Sequence, residues 1–353
     1  RALEHLPASA QVDWDHECFT ARLNICDLNL SFDVERGDPV ICMTMRDHFD
    51  QVMIDVAEGA GAQLRFECAV EGINHLGKHV ELVTDQGTID ADFVIAADGA
   101  LSVTARAAGW SDALDGIPAL EWEVRVSKKT LNRFRDVARF DIGWVPHGYA
   151  WVFPKRKHLS IGVLNMLRGA IHLKAELQRY VDEIGISDIR HIDAHGYLIP
   201  VRPRRRLIKG RVLVAGDAAG LADPITGEGI ANALVSGRLA AEAIVGGAFD
   251  PWHVEHLYES TMKDQVTAEL RLARILAYGL YRMPRARVWF MEQFGADFSA
   301  AMTDIICGRR SYRDAMFSPR NFARLIANKW RARRDPIDDD REGQAIDDDS
   351  RDD

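Results

Sequence analysis

Val212-Leu213-Val214-Ala215 runs directly into Gly216-Asp217-Ala218-Ala219-Gly220-Leu221-Ala222-Asp223-Pro224-Ile225-Thr226-Gly227-Glu228-Gly229-Ile230. A short continuous apolar run reads as a buried strand of an open α/β sheet, and such sheets bind ligands beyond the carboxyl ends of their strands. Asp217 stands at that end, where its carboxylate can accept hydrogen bonds from a polyol. Gly216 makes the turn. Gly220, Gly227 and Gly229 remove side chains where backbone must approach a planar ring or a phosphate, and Pro224 fixes the loop before the alanine-rich helix over 229–245. The helix start, Glu228-Gly229-Ile230, offers unpaired N–H groups and the positive end of a dipole, which stabilise negative charge on a bound group. A lone Gly-Asp is more often an ordinary turn. The whole ordered series of strand, Gly-Asp-Ala-Ala, Asp-Pro, Gly-Glu-Gly-Ile and helix is hard to explain that way.

A second buried strand, Phe93-Val94-Ile95-Ala96-Ala97, stops at Asp98-Gly99, with Ser102 placed to cap a short helix. Two readings stay open for Asp98: a ligand-facing acid, or a cap for backbone donors. Before it, Arg46 to Glu58 carries Phe49, Met53, Val56 and Ala57 at helical spacing, and Leu64–Val70, Val80–Thr84 and Thr88–Asp90 read as strands. From Pro118 to Pro200 the pattern changes to strands rich in Trp, Tyr, Phe and Val around one helix near 171–184, which predicts a separate antiparallel sheet. Within it, Tyr149, Trp151 and Phe153 alternate, so the three share one face, which on periodicity alone suits the protein's own core more readily than an apolar ligand. Pro154 ends that strand.

Charge and cysteines exclude several classes. The formal net charge of -9 is concentrated in 335–353, which holds ten acidic residues against Arg341 and Arg351. The rest is nearly neutral, so nucleic-acid binding is not expected. Cys18, Cys26, Cys42, Cys68 and Cys307 contain no Cys-x-x-Cys pair and are odd in number, which argues against a metal site or a disulfide framework. A reducing, cytoplasmic compartment is expected. No apolar run reaches the ~20 residues that cross a bilayer.

On the two Asp/Gly turns and on Tyr149-Ala150-Trp151-Val152-Phe153-Pro154, the sequence resembles the geranylgeranyl reductase family of FAD-dependent oxidoreductases, within the aromatic hydroxylase and halogenase-like flavoproteins. The resemblance implies an α/β fold: an FAD-binding three-layer, Rossmann-like domain with an inserted antiparallel-sheet substrate domain and C-terminal helices. The boundaries expected are 1–117 and 201–250 for the FAD-binding domain, 118–200 for the substrate domain, 251–334 for the helical region and 335–353 for a disordered acidic tail. It implies that Asp217 contacts the flavin ribityl chain, that Asp98-Gly99 lies near the cofactor and pyridine-nucleotide region, and that Arg46 contacts the cofactor; an exposed arginine at a helix start is the alternative for Arg46. Tyr149, Trp151, Phe153, Pro154 and Gly162 are implied at an isoprenoid site, with Leu164 standing where the family has a second glycine. NAD(P)H or a ferredoxin-like protein is the implied electron donor.

The family's Gly-x-Gly-x-x-Gly phosphate turn is not found, and Arg1-Ala2-Leu3 resembles a position after it. Residues preceding Arg1 are therefore expected; a chain complete as written would hold FAD poorly. None of the five cysteines lies in the family's Cys-Gly-Gly-Gly context, whose cysteine is implicated in proton delivery, so no catalytic acid is nominated. Phe322, Leu325, Ile326 and Trp330 share one helical face, with Arg320, Arg324, Lys329, Arg331, Arg333 and Arg334 around them, which suits a peripheral membrane contact or a docked terminal helix equally. The competing functions are a flavin monooxygenase or halogenase and a non-catalytic lipid-binding protein.

Overall fold

A computed structural model describes residues 1–111, 114, 116–166 and 171–317. The chain divides into a body, Arg1–Tyr312, and a second unit, Arg313–Asp353. The basic stretch 320–334 and the acidic tail lie outside the described residues.

The first elements are β1 (His16–Cys18), β2 (Thr20–Ile25), β3 (Leu30–Glu35), β4 (Ile41–Met43) and helix α1 (Arg46–Gly59). Next come β5 (Val70–His75), β6 (Val80–Thr84), β7 (Gly87–Ala91), β8 (Val94–Ala96) and α2 (Val103–Ala107). The middle holds β9 (Gly116–Arg125), α3 (Lys128–Phe134), β10 (Val137–Ile142), β11 (Gly148–Pro154), β12 (Leu159–Asn165), α4 (Leu173–Glu183) and β13 (His191–Pro200). Then follow β14 (Ile208–Lys209), β15 (Val212–Val214), α5 (Ile230–Gly246), α6 (Pro251–Met262), α7 (Ala268–Ala277) and α8 (Pro284–Ile306), with single π-helical turns at Lys263–Thr267 and Tyr278–Arg282.

Two regions position the site. In the first, β15 lies parallel to β8, with β14 beside it. The apolar run at 212–214 is buried throughout, as its composition requires, and α5 turns Val235, Leu239, Ala240 and Ala243 onto the same core. The hydroxyl of Tyr258 on α6 donates to the Val214 carbonyl at 2.7 Å, tying α6 to the strand end.

The second region is a seven-stranded sheet in the order β13-β9-β12-β11-β10-β2-β3, antiparallel except for β10 against β2. On one face Trp122, Val124, Val152, Ile161 and Val163 pack against Leu177, Tyr180 and Val181 of α4. Across the other face α8 passes close to β3, where a Cβ on Gly295 would stand 2.3 Å from the Phe32 ring.

Two differences from the sequence reading have local causes. The sheet reaches beyond 118–200, because β2 and β3 complete the edge that β10 exposes. No strand forms over Leu64–Ala69. Instead Ala62 N–H bonds back to Ala57, Glu67 adopts φ +53°, and Asp85 Oδ1 accepts from Ala69 N–H, so backbone groups that a strand would pair are used in turns.

Candidate active site

The end of β15 becomes a tight 3₁₀ turn, Gly216–Ala219, whose first residue and following residue both require glycine. Gly216 has φ +54°; Gly220 has φ +79°, and a Cβ there would meet the Arg202 carbonyl oxygen at 2.2 Å. Asp217 is thereby presented at the strand end, against the start of α5, where a Cβ on Gly229 would come within 3.1 Å of Asp217 Oδ1. That carboxylate makes no hydrogen bond among the described residues. Burial pushes it above the ordinary carboxylate range, and the charge of Arg46 offsets part of the rise. Arg46, the first residue of α1, bonds Asp50 through two nitrogens, each at 3.0 Å, while its charge acts on Asp217.

The loop between Asp217 and α5 has a defined shape. Asp223, nearly fully buried, accepts through Oδ1 from Ile225 N–H (2.8 Å) and Thr226 N–H (3.1 Å) across Pro224. Three tyrosines from distant parts of the chain hold it: Tyr149 donates to the Thr226 carbonyl, Tyr281 to the Ile225 carbonyl at 2.7 Å, and Tyr312 to Asp223 Oδ2 at 2.8 Å. Gly227 has φ +73° and faces Leu164 and Ile199. Leu164 thus fills space left by Gly227 rather than inviting backbone approach. Glu228 accepts from Ala231 N–H at 2.8 Å, capping the helix that starts at Ile230.

Asp98 and Gly99 leave β8 at the same edge, since Ala215 N–H bonds Ala96 O at 3.0 Å. Ser102 is the N-cap of α2, as its position predicts, accepting from Ala105 N–H at 2.9 Å, and the Asp98 carboxylate supports it by accepting from the Ser102 hydroxyl and, at 2.9 Å, from Thr104 N–H. Burial alone would raise its pKa, but those donors outweigh burial and hold it below the ordinary range. Gly99 has φ +81°.

On the large sheet, Tyr149, Trp151 and Phe153 form a continuous wall with Phe140; centroids are 5.9 Å apart for Tyr149–Trp151, 6.2 Å for Trp151–Phe153 and 6.1 Å for Phe140–Tyr149. Gly162 pairs with Trp151 across the strands, and a Cβ there would lie 2.0 Å from the Trp151 ring. The members of the wall differ in what they face. Phe140 and Phe153 lean on the small core of Cys18, Val40 and Met43, and Pro154 closes the strand opposite Leu159. Tyr149, and Phe140 on its other side, line a small apolar cavity of about 50 Å³ with Leu23, Ile142, Leu280 and Phe298, directly beside Ile225 and Thr226, so a longer apolar ligand enters only by displacing these rings. Trp151 Nε1–H donates to Ser160 Oγ at 3.3 Å, and Ser160 to Glu121.

The structure therefore brings Arg46, Asp217 and the Gly227–Ile230 helix start together, and places Asp98 as a cap at the neighbouring strand end. Asp223, Tyr281 and Tyr312 were not singled out from sequence; Asp223-Pro224 lay inside the motif, whereas the two tyrosines carry no local signal. Burial pushes the Cys18 thiol up to about 12, so it stays protonated at neutral pH. Among the described residues no group of three His, Cys, Asp or Glu side chains could hold a metal ion, and no helix is long and apolar enough to cross a membrane.

Residues 9–157 match the family of FAD binding domains. The chain is 30% identical over 294 residues to the chloroplastic geranylgeranyl diphosphate reductase of Oryza sativa subsp. japonica, covering 74% of this chain and 61% of that protein. It is 30% identical over 249 residues to the digeranylgeranylglycerophospholipid reductase of Thermoplasma volcanium, covering 65% and 62%. The chain thus spans less than two thirds of the length of these relatives. Among solved structures, a geranylgeranyl bacteriochlorophyll reductase-like protein from Thermoplasma acidophilum superimposes with a TM-score of 0.66 at 24% identity, over 84% of this chain and 77% of that one. HpxO of Klebsiella pneumoniae, complexed with FAD and uric acid, gives 0.61 at 17% identity over 83% and 81%. Both share the fold.

Proposed function

We propose that this chain, which matches FAD binding domains over 9–157 and is similar to geranylgeranyl diphosphate and digeranylgeranylglycerophospholipid reductases, is a member of that reductase family and reduces isoprenoid carbon–carbon double bonds of the geranylgeranyl type. The observation that carries the reading is the tyrosine-held loop 223–227. On one side the loop leads into the start of α5, where Gly229 faces the Asp217 carboxylate of the preceding turn; on the other it closes an apolar cavity.

The residues present fit FAD. Asp217 has lone pairs free for ribityl hydroxyls, and Gly229 and Ile230 at the dipole-positive helix start suit the negative charge of a reduced ring. Arg46 adds positive charge on the same side. When bound, FAD supplies the hydride to the alkene. The chain's part is to orient an apolar substrate on the Tyr149 side of the loop, exclude water from the cavity, and hold the loop still through three hydroxyls. NAD(P)H or a ferredoxin-like protein supplies the electrons. A cytoplasmic place at the membrane periphery belongs to the same proposal, supported by five free cysteines and an apolar substrate class, with 320–334 as a contact segment.

The test is anaerobic turnover of geranylgeranyl diphosphate with chemically reduced protein, read by mass spectrometry. A product heavier by one hydrogen molecule per reduced bond is expected. Activity strictly requiring oxygen overturns the reading in favour of a monooxygenase or halogenase, and a protein that stays colourless with added FAD favours a lipid-binding role.

A further inference from the structure

The turn between α7 and α8 has two contrasting sides. Its inner side is pinned: Tyr281 O accepts from His147 Nδ1–H at 2.6 Å in the tautomer that donates, the Tyr281 hydroxyl reaches the active-site loop, and buried Arg287 donates through Nη1 to Leu280 O at 2.9 Å and through Nη2 to Asp27. Leu280 and Tyr281 both line the apolar cavity. Its outer side turns large apolar groups to solvent: Ile275 is 62% exposed, Tyr278 57%, Met283 47% and Trp289 59%. Exposed arginines surround them. Arg271, Arg274, Ile275 and Tyr278 recur at helical spacing, the Arg282 guanidinium lies 5.9 Å from the Tyr278 ring centre, and Arg285 follows one residue after Pro284.

An aromatic series connects the two sides. Trp289 lies 6.2 Å from Phe294, Phe294 5.5 Å from Phe290, and Phe290 5.9 Å from Phe298, which lines the cavity. Phe290, Phe294 and Phe298 sit four residues apart, so they form one stripe of α8 leading inward.

We propose that this turn is where the protein docks on an anionic lipid surface, and that the aromatic stripe is the route by which an isoprenoid chain passes from the bilayer into the cavity. Charge chooses the occupant. The exposed charges along 271–289 are Arg271, Arg274, Arg282 and Arg285, with no acidic residue among them, and aromatic side chains flanked by arginines suit the interface between headgroups and acyl chains. This inference rests on the proposed isoprenoid substrate, but its docking part is separable from it.

Cosedimentation of the purified protein with phosphatidylcholine vesicles, with and without added phosphatidylglycerol, is the first arm. Binding is expected only with the anionic lipid, and it should weaken with salt. Arg282→Gln and Arg285→Gln should each lower partitioning about fivefold, and Tyr278→Ser with Trp289→Ser roughly tenfold or more. The second arm compares turnover of water-soluble geranyl diphosphate with that of a geranylgeranyl lipid carried in the vesicles. Arg282→Gln and Arg285→Gln, which lie outside the aromatic series, should keep the first and raise KM for the second. Equal binding to neutral and anionic vesicles, unchanged partitioning of the variants, or variants that alter oligomeric mass instead of vesicle binding would each overturn the docking surface. Vesicle binding that follows the variants while neither isoprenoid is reduced leaves the docking surface standing and removes the reductase reading.

Discussion

Replacing Asp217 by Asn separates what its carboxylate does for a ligand from what it does for the fold. The group makes no hydrogen bond among the described residues, and burial raises its pKa above the ordinary range with only partial relief from Arg46. A raised folded-state pKa means stability that is fully present below the unfolded value and lost as pH rises through the folded value. At neutral pH the charge therefore opposes folding, and Asp217→Asn should leave the thermal midpoint of the FAD-free protein unchanged or higher. The ligand sees the opposite effect. Charge-assisted bonds to ribityl hydroxyls are worth ~1.5 to 3 kcal/mol, which at ~1.4 kcal/mol per decade corresponds to a roughly 10- to 150-fold weaker FAD Kd. Flavin fluorescence titration and differential scanning fluorimetry on the same preparations read the two quantities. An unchanged Kd, or a drop in the FAD-free midpoint, refutes the reasoning.

Other positions probe neighbouring parts of the site. Gly162→Ala places a Cβ 2.0 Å from the Trp151 ring; overpacking should cost ~1–3 kcal/mol in chemical denaturation and alter tryptophan emission. Tyr149→Phe leaves the Thr226 carbonyl without its hydroxyl donor, a loss of ~1–3 kcal/mol in stability, with weaker FAD retention measured by desalting and absorbance. Asp98→Ala removes the acceptor of Thr104 N–H and of the Ser102 hydroxyl at the start of α2, while the Ser102 N-cap bond to Ala105 N–H remains, costing ~0.5–2 kcal/mol. Because the Asp98 carboxyl is held below its ordinary range, its contribution exists above the unfolded value and fades as pH falls through the lower folded one, so wild type and variant should converge in stability at strongly acidic pH.

The Gly216–Ile230 segment was readable in sequence because everything it needs is local: a strand, glycines at positive φ and a helix start. The alternation of Tyr149, Trp151 and Phe153 likewise told which residues share a face, but periodicity carries no information about what lies opposite. Phe153 meets a small core and Tyr149 a cavity. Asp98 had two readings from the same residues, and the positions of Ser102 and Thr104 select the cap. Tyr281 and Tyr312 could not be found, since hydroxyls reaching the loop from 56 and 89 residues away leave no spacing pattern. The same holds for β2 and β3, whose place in the large sheet depends on an edge formed more than a hundred residues later.

Tyr149 and Tyr281 each belong to two sites at once, with rings in the apolar cavity and hydroxyls on consecutive carbonyls of the loop beside Asp217. Under the proposed function, a substrate that displaces either ring shifts the loop beside Asp217 with it, and FAD that sets the loop sets the rings. Substrate and FAD would then change each other's affinity by the same factor in both directions, with the two phenols carrying the coupling.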